Sequence, residues 1–343
     1  MLINKFFPAG GLPPFFRILA MLLLVLLLEG CAKGPTRFVH LSRSEGTPRF
    51  IPVIVQFGDT LPSLAAKFLG DADKSWIIAE FNDVKEISPG QELIIPLEPF
   101  DKARLSSKGY QTVPILTYHN FSESKEGLMV VRRSDFAAQM QFLHDNGYTP
   151  ISLADLFDFL QYRQDIPPKA VVITIDDGWR GVYDIAYPIL RKFGYPATLF
   201  VYTDLINGSG KTLSWDMVAE LDKAGIDVQC HTKTHRNLNR VLDHESFQQY
   251  ATEIEQEITG CTEIVESKLH KQVKYLAYPY GETNKLVMAF LEKNGYQGAF
   301  TVKRESNPFF MDPYALNRRM IYGDFSLETF KKNLETYSNE ALR

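Results

Sequence analysis

Two adjacent carboxylates, Asp176 and Asp177, follow an apolar run at 171–175 and precede Gly178. A run that is apolar on both faces is typical of a strand buried on both sides in a parallel sheet. Because glycine permits a sharp turn, both carboxylates are predicted at the C-terminal end of that strand, where parallel α/β proteins build their sites. Neighbouring like charges disfavour each other's ionisation. A metal would remove this conflict, with one Asp as ligand and the other as a base; a solvated turn is the alternative.

Two histidines, His231 and His235, follow a second predicted buried strand at 226–230. Histidines four apart on a helical turn share one face and can bind one cation. With Asp177 they would supply three protein ligands and leave one position open, which is typical of catalytic rather than structural zinc sites. A third polar segment, 278–281, ends another predicted strand.

In this order, the segments 174–178, 231–235 and 278–281 resemble the motifs of the NodB-homology polysaccharide deacetylases, carbohydrate esterase family four. The resemblance covers roughly residues 113 to 330. It implies an α/β fold, a distorted (β/α) barrel of about seven parallel strands. It also implies a divalent metal, usually Zn²⁺, and the removal of N-acetyl groups from amino sugars.

The resemblance assigns a role to each motif residue. Asp176 would act as general base, and the backbone N–H of Tyr280 would hold the oxyanion. The metal ligands would be Asp177, His231 and His235. Aromatic faces pack against sugar rings, so the expected substrate-binding groove walls are Tyr278, Pro279, Trp179 and Trp215. Core packing is the alternative for the two tryptophans.

The chain departs from the commonest family pattern at the third motif. Many members have an arginine there, braced against the catalytic Asp, whereas this chain has Leu276 and Ala277. Arg319, at the start of a late predicted strand, is expected to replace it, with the adjacent Arg318 as the alternative.

A second departure concerns the general acid. In many family members a late Leu-x-His segment supplies this acid, whereas no histidine follows His270 in this chain. The early Tyr118-His119 pair resembles the subgroup that includes exported poly-N-acetylglucosamine deacetylases, in which an early histidine takes the acid's part. Chemistry supports this assignment, since an amine leaves poorly unless it is protonated and the histidine pKa lies near working pH. His119 is therefore predicted to be catalytic; a core histidine bonded to backbone is the alternative.

The N-terminus, residues 1–30, has the pattern of a lipoprotein signal peptide. Basic residues precede an apolar run at 18–28 that is too short to span a bilayer. The sequence ending in Cys31 resembles a lipobox, although Glu29 departs from it, so lipidation of Cys31 is expected. Plain secretion and an uncleaved anchor are the alternatives. The residue after the cysteine is Ala32, which favours the periplasmic face of the outer membrane.

The next segments indicate a small separate domain. Residues 31–50 are polar and unpatterned, as in a tether. Residues 51–97 resemble a LysM module with βααβ order, which implies binding to N-acetylglucosamine glycans, above all peptidoglycan. A structural spacer is the alternative. A charged linker, 98–112, is predicted to lead to the deacetylase domain at 113–343.

Composition bounds the remaining possibilities. A length of 343 residues favours two folded units, and a net charge of −4 argues against a nucleic-acid partner. Few cysteines suit an exported protein without a disulfide framework. Cys230 and Cys261 are expected to be buried thiols, with a disulfide between them as the alternative.

Three functions are compatible with these features. The first is a metal-dependent N-deacetylase acting on envelope polysaccharide, either peptidoglycan or an exopolysaccharide. The second is a catalytically dead, glycan-binding envelope lipoprotein, against which the intact motif residues argue. The third is an O-acetyl esterase, which the same chemistry permits.

Overall fold

A computed structural model describes residues 50–97, 109–124 and 127–340. The chain divides between residues 100 and 101 into two compact units. The predicted signal peptide, Cys31, the predicted tether up to residue 49 and most of the predicted linker lie outside the described residues. The last residue of the predicted tether, Phe50, belongs to the first strand.

The first unit has the predicted βααβ order. Strands β1 (Phe50–Ile54) and β2 (Glu92–Pro96) pair antiparallel, and helices α1 (Leu61–Leu69) and α2 (Ser75–Phe81) lie between them in sequence. Thr60 caps α1 by accepting the N–H of Ser63. The unit has its own apolar core, formed by Val53, Val55, Leu64, Ala65, Ile78, Leu93 and Ile95.

The second unit is built on a parallel sheet, which confirms the predicted α/β class. Its strands are β4 Ile115–Tyr118, β7 Thr149–Ile151, β8 Ala170–Asp177, β9 Ala197–Val201, β10 Ile226–Cys230, β11 Tyr275–Ala277, β12 Gly298–Phe300 and β14 Arg319–Met320. Seven of them follow the order β12-β11-β10-β9-β8-β4-β14, and β7 pairs with the first half of β8. Phe300 in β12 also bridges to Leu316, just before β14, so the sheet curls into a distorted barrel.

Helices connect the strands of this sheet, and a short helix, the last in this part of the chain, follows β14. They are α3 Arg133–Asp145, α4 Leu153–Leu160, α5 Tyr187–Phe193, α6 Trp215–Lys223, α7 Phe247–Leu269, α8 Lys285–Lys293 and α9 Leu327–Lys331. The predicted long charged helix is α7, which begins after the N-cap Ser246. Within the described residues, no helix is both long and apolar enough to cross a membrane.

Short strands lie beside the main sheet. In one group β3 (Tyr110–Val113) pairs with β13 (Asn307–Pro308) and β15 (Tyr337–Ser338), and in another β5 (Asn120–Ser122) pairs with β6 (Val130–Arg132). Because β3 belongs to the second unit, the predicted linker is too long at its C-terminal end.

Strand β8 explains why the apolar run carries the site. Its residues from Ala170 to Asp176 are all buried, since neighbouring strands flank it and the hydrophobic core covers it. The one buried hydroxyl of this strand, on Thr174, donates to the carbonyl of Leu116 in β4. The apolar residues hold β8 in the centre of the sheet and so place the two carboxylates at its end.

The expectation of free thiols at Cys230 and Cys261 is wrong, because the two cysteines form a disulfide. The side chain of Cys230, at the end of β10, faces α7, where Cys261 lies on the buried face. Strand alternation predicts this direction away from the metal site. The sequence did not show that α7 packs against this strand.

Candidate active site

The predicted site residues meet at one edge of the sheet. Asp176 and Asp177 end β8, whereas His119, His231 and Tyr278 directly follow β4, β10 and β11. The C-terminal ends of parallel strands lie at the same edge, so these side chains converge. They surround a cavity of about 580 Å³. Its lining comprises His119, Asn120, Met129, Val130, Asp176, Asp177, Trp179, His231, His235, Tyr278, Tyr280, Gly281, Val302, Arg318 and Met320.

Asp177, His231 and His235 have the geometry of a metal-binding triad. Ligand atoms of the three residues lie within 4.8 Å of one another, and the Nε2 atom of each histidine is 3.7 Å from Oδ1 of Asp177. Nδ1 of His231 is 2.7 Å from the carbonyl oxygen of Ala277. Because Nδ1–H donates to that carbonyl, Nε2 remains available as a ligand. Oδ2 of Asp177 accepts the indole N–H of Trp179, which leaves Oδ1 available. The donor set therefore fits a divalent cation such as Zn²⁺.

The two histidines are not on a helical turn, which corrects the sequence-based expectation. They lie on a loop, 231–235, in which Thr232 and His235 have positive φ angles of 70° and 67°. Oγ1 of Thr232 accepts the backbone N–H of His235 at 3.0 Å and closes the loop.

Asp176 forms a buried, bidentate ion pair with Arg318. The two guanidinium N–H groups donate to Oδ1 and Oδ2 at 2.7 and 2.8 Å, and Nε–H of Arg318 donates to the carbonyl of Thr301. Burial has the largest single effect and would raise the pKa of Asp176. The charge and hydrogen bonds of Arg318, together with the charges that His231 and His119 would carry, outweigh burial and keep that pKa below its usual value. Asp176 is therefore ionised at neutral pH.

The expectation for Arg319 is wrong, because Arg318 is the partner of Asp176. The guanidinium of Arg319 donates instead to the carbonyl of Lys332, to Ser306 and to Glu335. Adjacent residues of an extended chain point to opposite sides, so only one of the two arginines can face the cavity.

Burial also controls the pKa values of the two histidines of this triad. Desolvation lowers the pKa of His231 to about 4, even though Asp176 and Asp177 oppose this change. The pKa of His235 is lowered as well, again chiefly by burial. Both imidazoles are therefore neutral near pH 7, which is the form that binds metals.

His119 lies in the cavity wall, half-buried, directly after β4. Asp176 lines the same cavity, and a positive charge on His119 would lower the pKa of Asp176. The preceding Tyr118 is fully buried and donates its hydroxyl to Gln139. Tyr118 thereby fixes the end of β4 from which His119 enters the cavity.

The predicted groove walls are only partly correct. Of these predicted walls, Trp179 and Tyr278 line the cavity, whereas Pro279 is buried outside this lining. Tyr280, which was predicted for its backbone N–H, also lines the cavity. Tyr280 has a positive φ of 62° and is 61% exposed, so its ring can contact a substrate. Tyr278 is fully buried and donates its hydroxyl to the carbonyl of Tyr314.

Trp215 does not line the cavity. It begins α6 and packs, half-buried, against the hydrophobic core. Core packing was its alternative reading. Sequence reasoning also missed Met129, Val302 and Met320, which line the cavity without any motif to mark them.

Comparisons with known proteins agree with this geometry. Residues 163–299 match the family Polysaccharide deacetylase. The putative polysaccharide deacetylase YxkH of Bacillus subtilis is 29% identical over 65% of this chain and 76% of that protein. The poly-beta-1,6-N-acetyl-D-glucosamine N-deacetylase of Escherichia coli K12 is 25% identical over 66% of this chain, but this covers only 39% of that protein. The structure of the Streptococcus pyogenes deacetylase PplD in complex with acetate has a TM-score of 0.59 and 25% identity, covering 65% of this chain and 98% of that one.

Residues 163–299, in the second unit, are therefore similar to polysaccharide deacetylase domains, and the fold of this unit is similar to that of a solved deacetylase. These similarities indicate that the protein is a deacetylase enzyme.

The ion pair predicts how stability depends on Arg318. Arg318→Gln should lower the free energy of unfolding by about 3–5 kcal/mol at pH 7, because it leaves a buried carboxylate unpaired. The folded-state pKa of Asp176 is depressed, so the pair stabilises the protein above the unfolded pKa of about 3.9 and loses this effect as pH falls through the folded pKa. Urea unfolding at pH 7 and at acid pH measures both effects.

Arg319→Gln is the matched control, because Glu335, its ion-pair partner, is exposed. The double variant Asp176→Asn/Arg318→Gln should recover much of the loss. A loss in Arg318→Gln that was equal at both pH values would show that the carboxylate is not its cause.

Proposed function

We propose that the protein is a metal-dependent hydrolase that removes N-acetyl groups from N-acetylglucosamine-containing polysaccharide of the cell envelope. One observation carries the proposal: a metal-binding triad lies beside a second carboxylate that Arg318 keeps ionised. The naming of a relative as a poly-beta-1,6-N-acetyl-D-glucosamine N-deacetylase supports the choice of an N-acetylated polymer.

The metal would be held by Asp177, His231 and His235. A divalent cation there supplies Lewis acidity toward the acetyl carbonyl and lowers the pKa of water. Asp177 is committed to this role, since its other oxygen already accepts the Trp179 indole N–H.

Asp176 is the proposed general base. As water attacks the acetyl carbon, its proton passes to Asp176 and a tetrahedral oxyanion forms. The backbone N–H of Tyr280 is the proposed donor to this oxyanion. Each oxygen of Asp176 accepts one N–H from Arg318 and keeps a further lone pair for the incoming proton.

His119 is the proposed general acid. The carbon–nitrogen bond breaks as the amine nitrogen takes a proton from His119, and the products are acetate and the free amino sugar. His119 lines the same cavity as Asp176 but lies outside the metal triad, and this position supports the role.

The first unit is proposed to be a LysM glycan-binding module for peptidoglycan or related chains. The antiparallel βααβ arrangement supports this reading. Phe57, which is 96% exposed on the segment between β1 and α1, offers an aromatic face to a sugar ring.

The location is proposed to be the cell envelope after export, with a lipid on Cys31 as the anchor. The disulfide between Cys230 and Cys261 supports export, because disulfides persist in oxidising compartments. The preferred site is the periplasmic face of the outer membrane.

Acetate release tests the proposed reaction. The purified protein should release acetate from N-acetylglucosamine oligomers or from peptidoglycan, and a chelator should abolish this activity. His231→Ala should lose both metal and activity while circular dichroism shows a retained fold. Release from O-acetylated xylan alone would identify an esterase instead. Stoichiometric metal without acetate release from any of these substrates would identify a glycan-binding protein.

His119→Gln tests the acid. Turnover on N-acetylglucosamine oligomers should fall at least ~100-fold, with the metal retained. An activated aryl acetate needs no proton on its leaving group, so its hydrolysis should fall much less. Wild-type turnover of the amide substrate between pH 5 and 9 would place the donor elsewhere.

Deletion of residues 51–97 tests the first unit. Activity on insoluble cell wall should fall, while activity on short soluble oligomers should stay near wild type, because this unit has its own core and the cavity is formed by the other. Phe57→Ala in the full chain should reproduce part of this effect. Equal loss on both substrates would refute a targeting role.

A further inference from the structure

Helix α7 contacts the chain on both sides of the loop 231–235, which carries the two histidines of the triad. The disulfide to Cys261 holds Cys230, the residue before His231. Tyr250, near the start of α7, donates its hydroxyl to the carbonyl of Leu238, three residues after His235. The middle of the loop is contacted from the same helix by Glu257, one turn before Cys261.

The carboxylate of Glu257 accepts three hydrogen bonds from this loop. Oε2 accepts the backbone N–H groups of Lys233 and Thr234 at 3.1 and 2.9 Å, and Oε1 accepts the hydroxyl of Thr234 at 2.7 Å. The carbonyl of Glu257 also accepts the N–H of Lys233. The carboxylate is thus directed at the backbone between the two histidine ligands.

The burial of Glu257 indicates that its hydrogen bonds to the loop are important. Glu257 is only 6% exposed, and burying a carboxylate is costly unless hydrogen bonds compensate for the lost water. The Lys233 ammonium group lies 3.0 Å from Asp204, so this cation pairs with a different carboxylate. The hydrogen-bond donors of the loop therefore stabilise the buried charge of Glu257 directly.

The loop needs such support because its backbone is strained. Thr232 and His235 flank the two residues bonded to Glu257, and both have left-handed φ angles. Such conformations cost about 1–3 kcal/mol each and persist only where surrounding contacts hold them. Without the bonds to Glu257, the loop would be free to relax and move His235 away from Asp177 and His231.

We propose that Glu257 is a positioning residue that holds the loop 231–235 in its metal-binding conformation and thereby sets the affinity for a divalent cation. This inference rests on the proposed metal-dependent function. Glu257 touches neither the metal ligands' donor atoms nor the cavity; it acts through the backbone of Lys233 and Thr234.

The test measures Zn²⁺ affinity of the full chain by competition with a chromophoric chelator, without substrate. Glu257→Gln should weaken binding about 10- to 100-fold, the range for residues that orient metal ligands. Thr234→Val removes only the hydroxyl bond to Oε1 and should weaken binding less. Excess Zn²⁺ should restore much of the acetate release of Glu257→Gln, because the ligands themselves are intact.

Glu266→Gln is the matched control on the same helix. Glu266 accepts the backbone N–H of Val273 at 2.9 Å, a bond of the same kind that does not involve the loop. Its loss should lower the melting temperature and leave Zn²⁺ affinity within twofold of wild type. If Glu257→Gln does not fold, the Zn²⁺ affinity of Thr234→Val tests the proposal instead.

Two outcomes would overturn the proposal. One is Zn²⁺ affinity within twofold of wild type in Glu257→Gln or, if that variant fails to fold, in Thr234→Val. The other is equal weakening in Glu266→Gln, which would indicate a general effect of helix stability.

A wild-type protein that binds no Zn²⁺ would refute both this proposal and metal dependence. A wild-type protein that binds Zn²⁺ but releases no acetate would refute only the proposed reaction.

Discussion

The site depends on balancing two adjacent carboxylates at the end of a buried strand. Asp176 is 2% exposed, so its charge has little solvent to stabilise it. Arg318, fully buried, supplies the compensating charge through two parallel N–H bonds and is itself held by the carbonyl of Thr301 and the ring of Phe200. Such a pair is not chiefly a source of stability, since desolvation offsets much of the attraction. Its consequence is chemical: one carboxylate stays ionised without a metal, which leaves Asp177 as the metal ligand.

The second constraint is backbone strain. Four non-glycine residues at this site, Asp177, Thr232, His235 and Tyr280, have positive φ angles. These conformations direct the side chains of the loops at the strand ends into one cavity. With regular strand conformations the chain would continue past the cavity. The free-energy cost of these conformations is offset by packing in the core of the second unit and by local contacts. These contacts include the disulfide at Cys230 and the hydrogen bonds from α7.

The sequence by itself determined the class of fold and most of the donor set. Apolar runs that end in polar residues predict buried parallel strands, and parallel strands bring their C-terminal ends together whatever the details of packing. The sequence therefore suffices to place Asp176, Asp177, His231, His235 and His119 at one edge of the sheet. The βααβ order of the first unit followed from equally local signals, such as the cap at Thr60.

Tertiary structure alone decided which distant side chains meet. Arg318 and Arg319 are indistinguishable in sequence, and only the direction of each side chain gives Asp176 its partner. From the sequence, Trp215 was expected to line the groove, but in the structure α6 directs its side chain toward the core. The disulfide and the bonds of Glu257 depend on how α7 packs behind β10, a contact between elements far apart in the chain. Local patterns encode periodicity and turn chemistry, whereas packing between distant elements depends on the shape of the whole core.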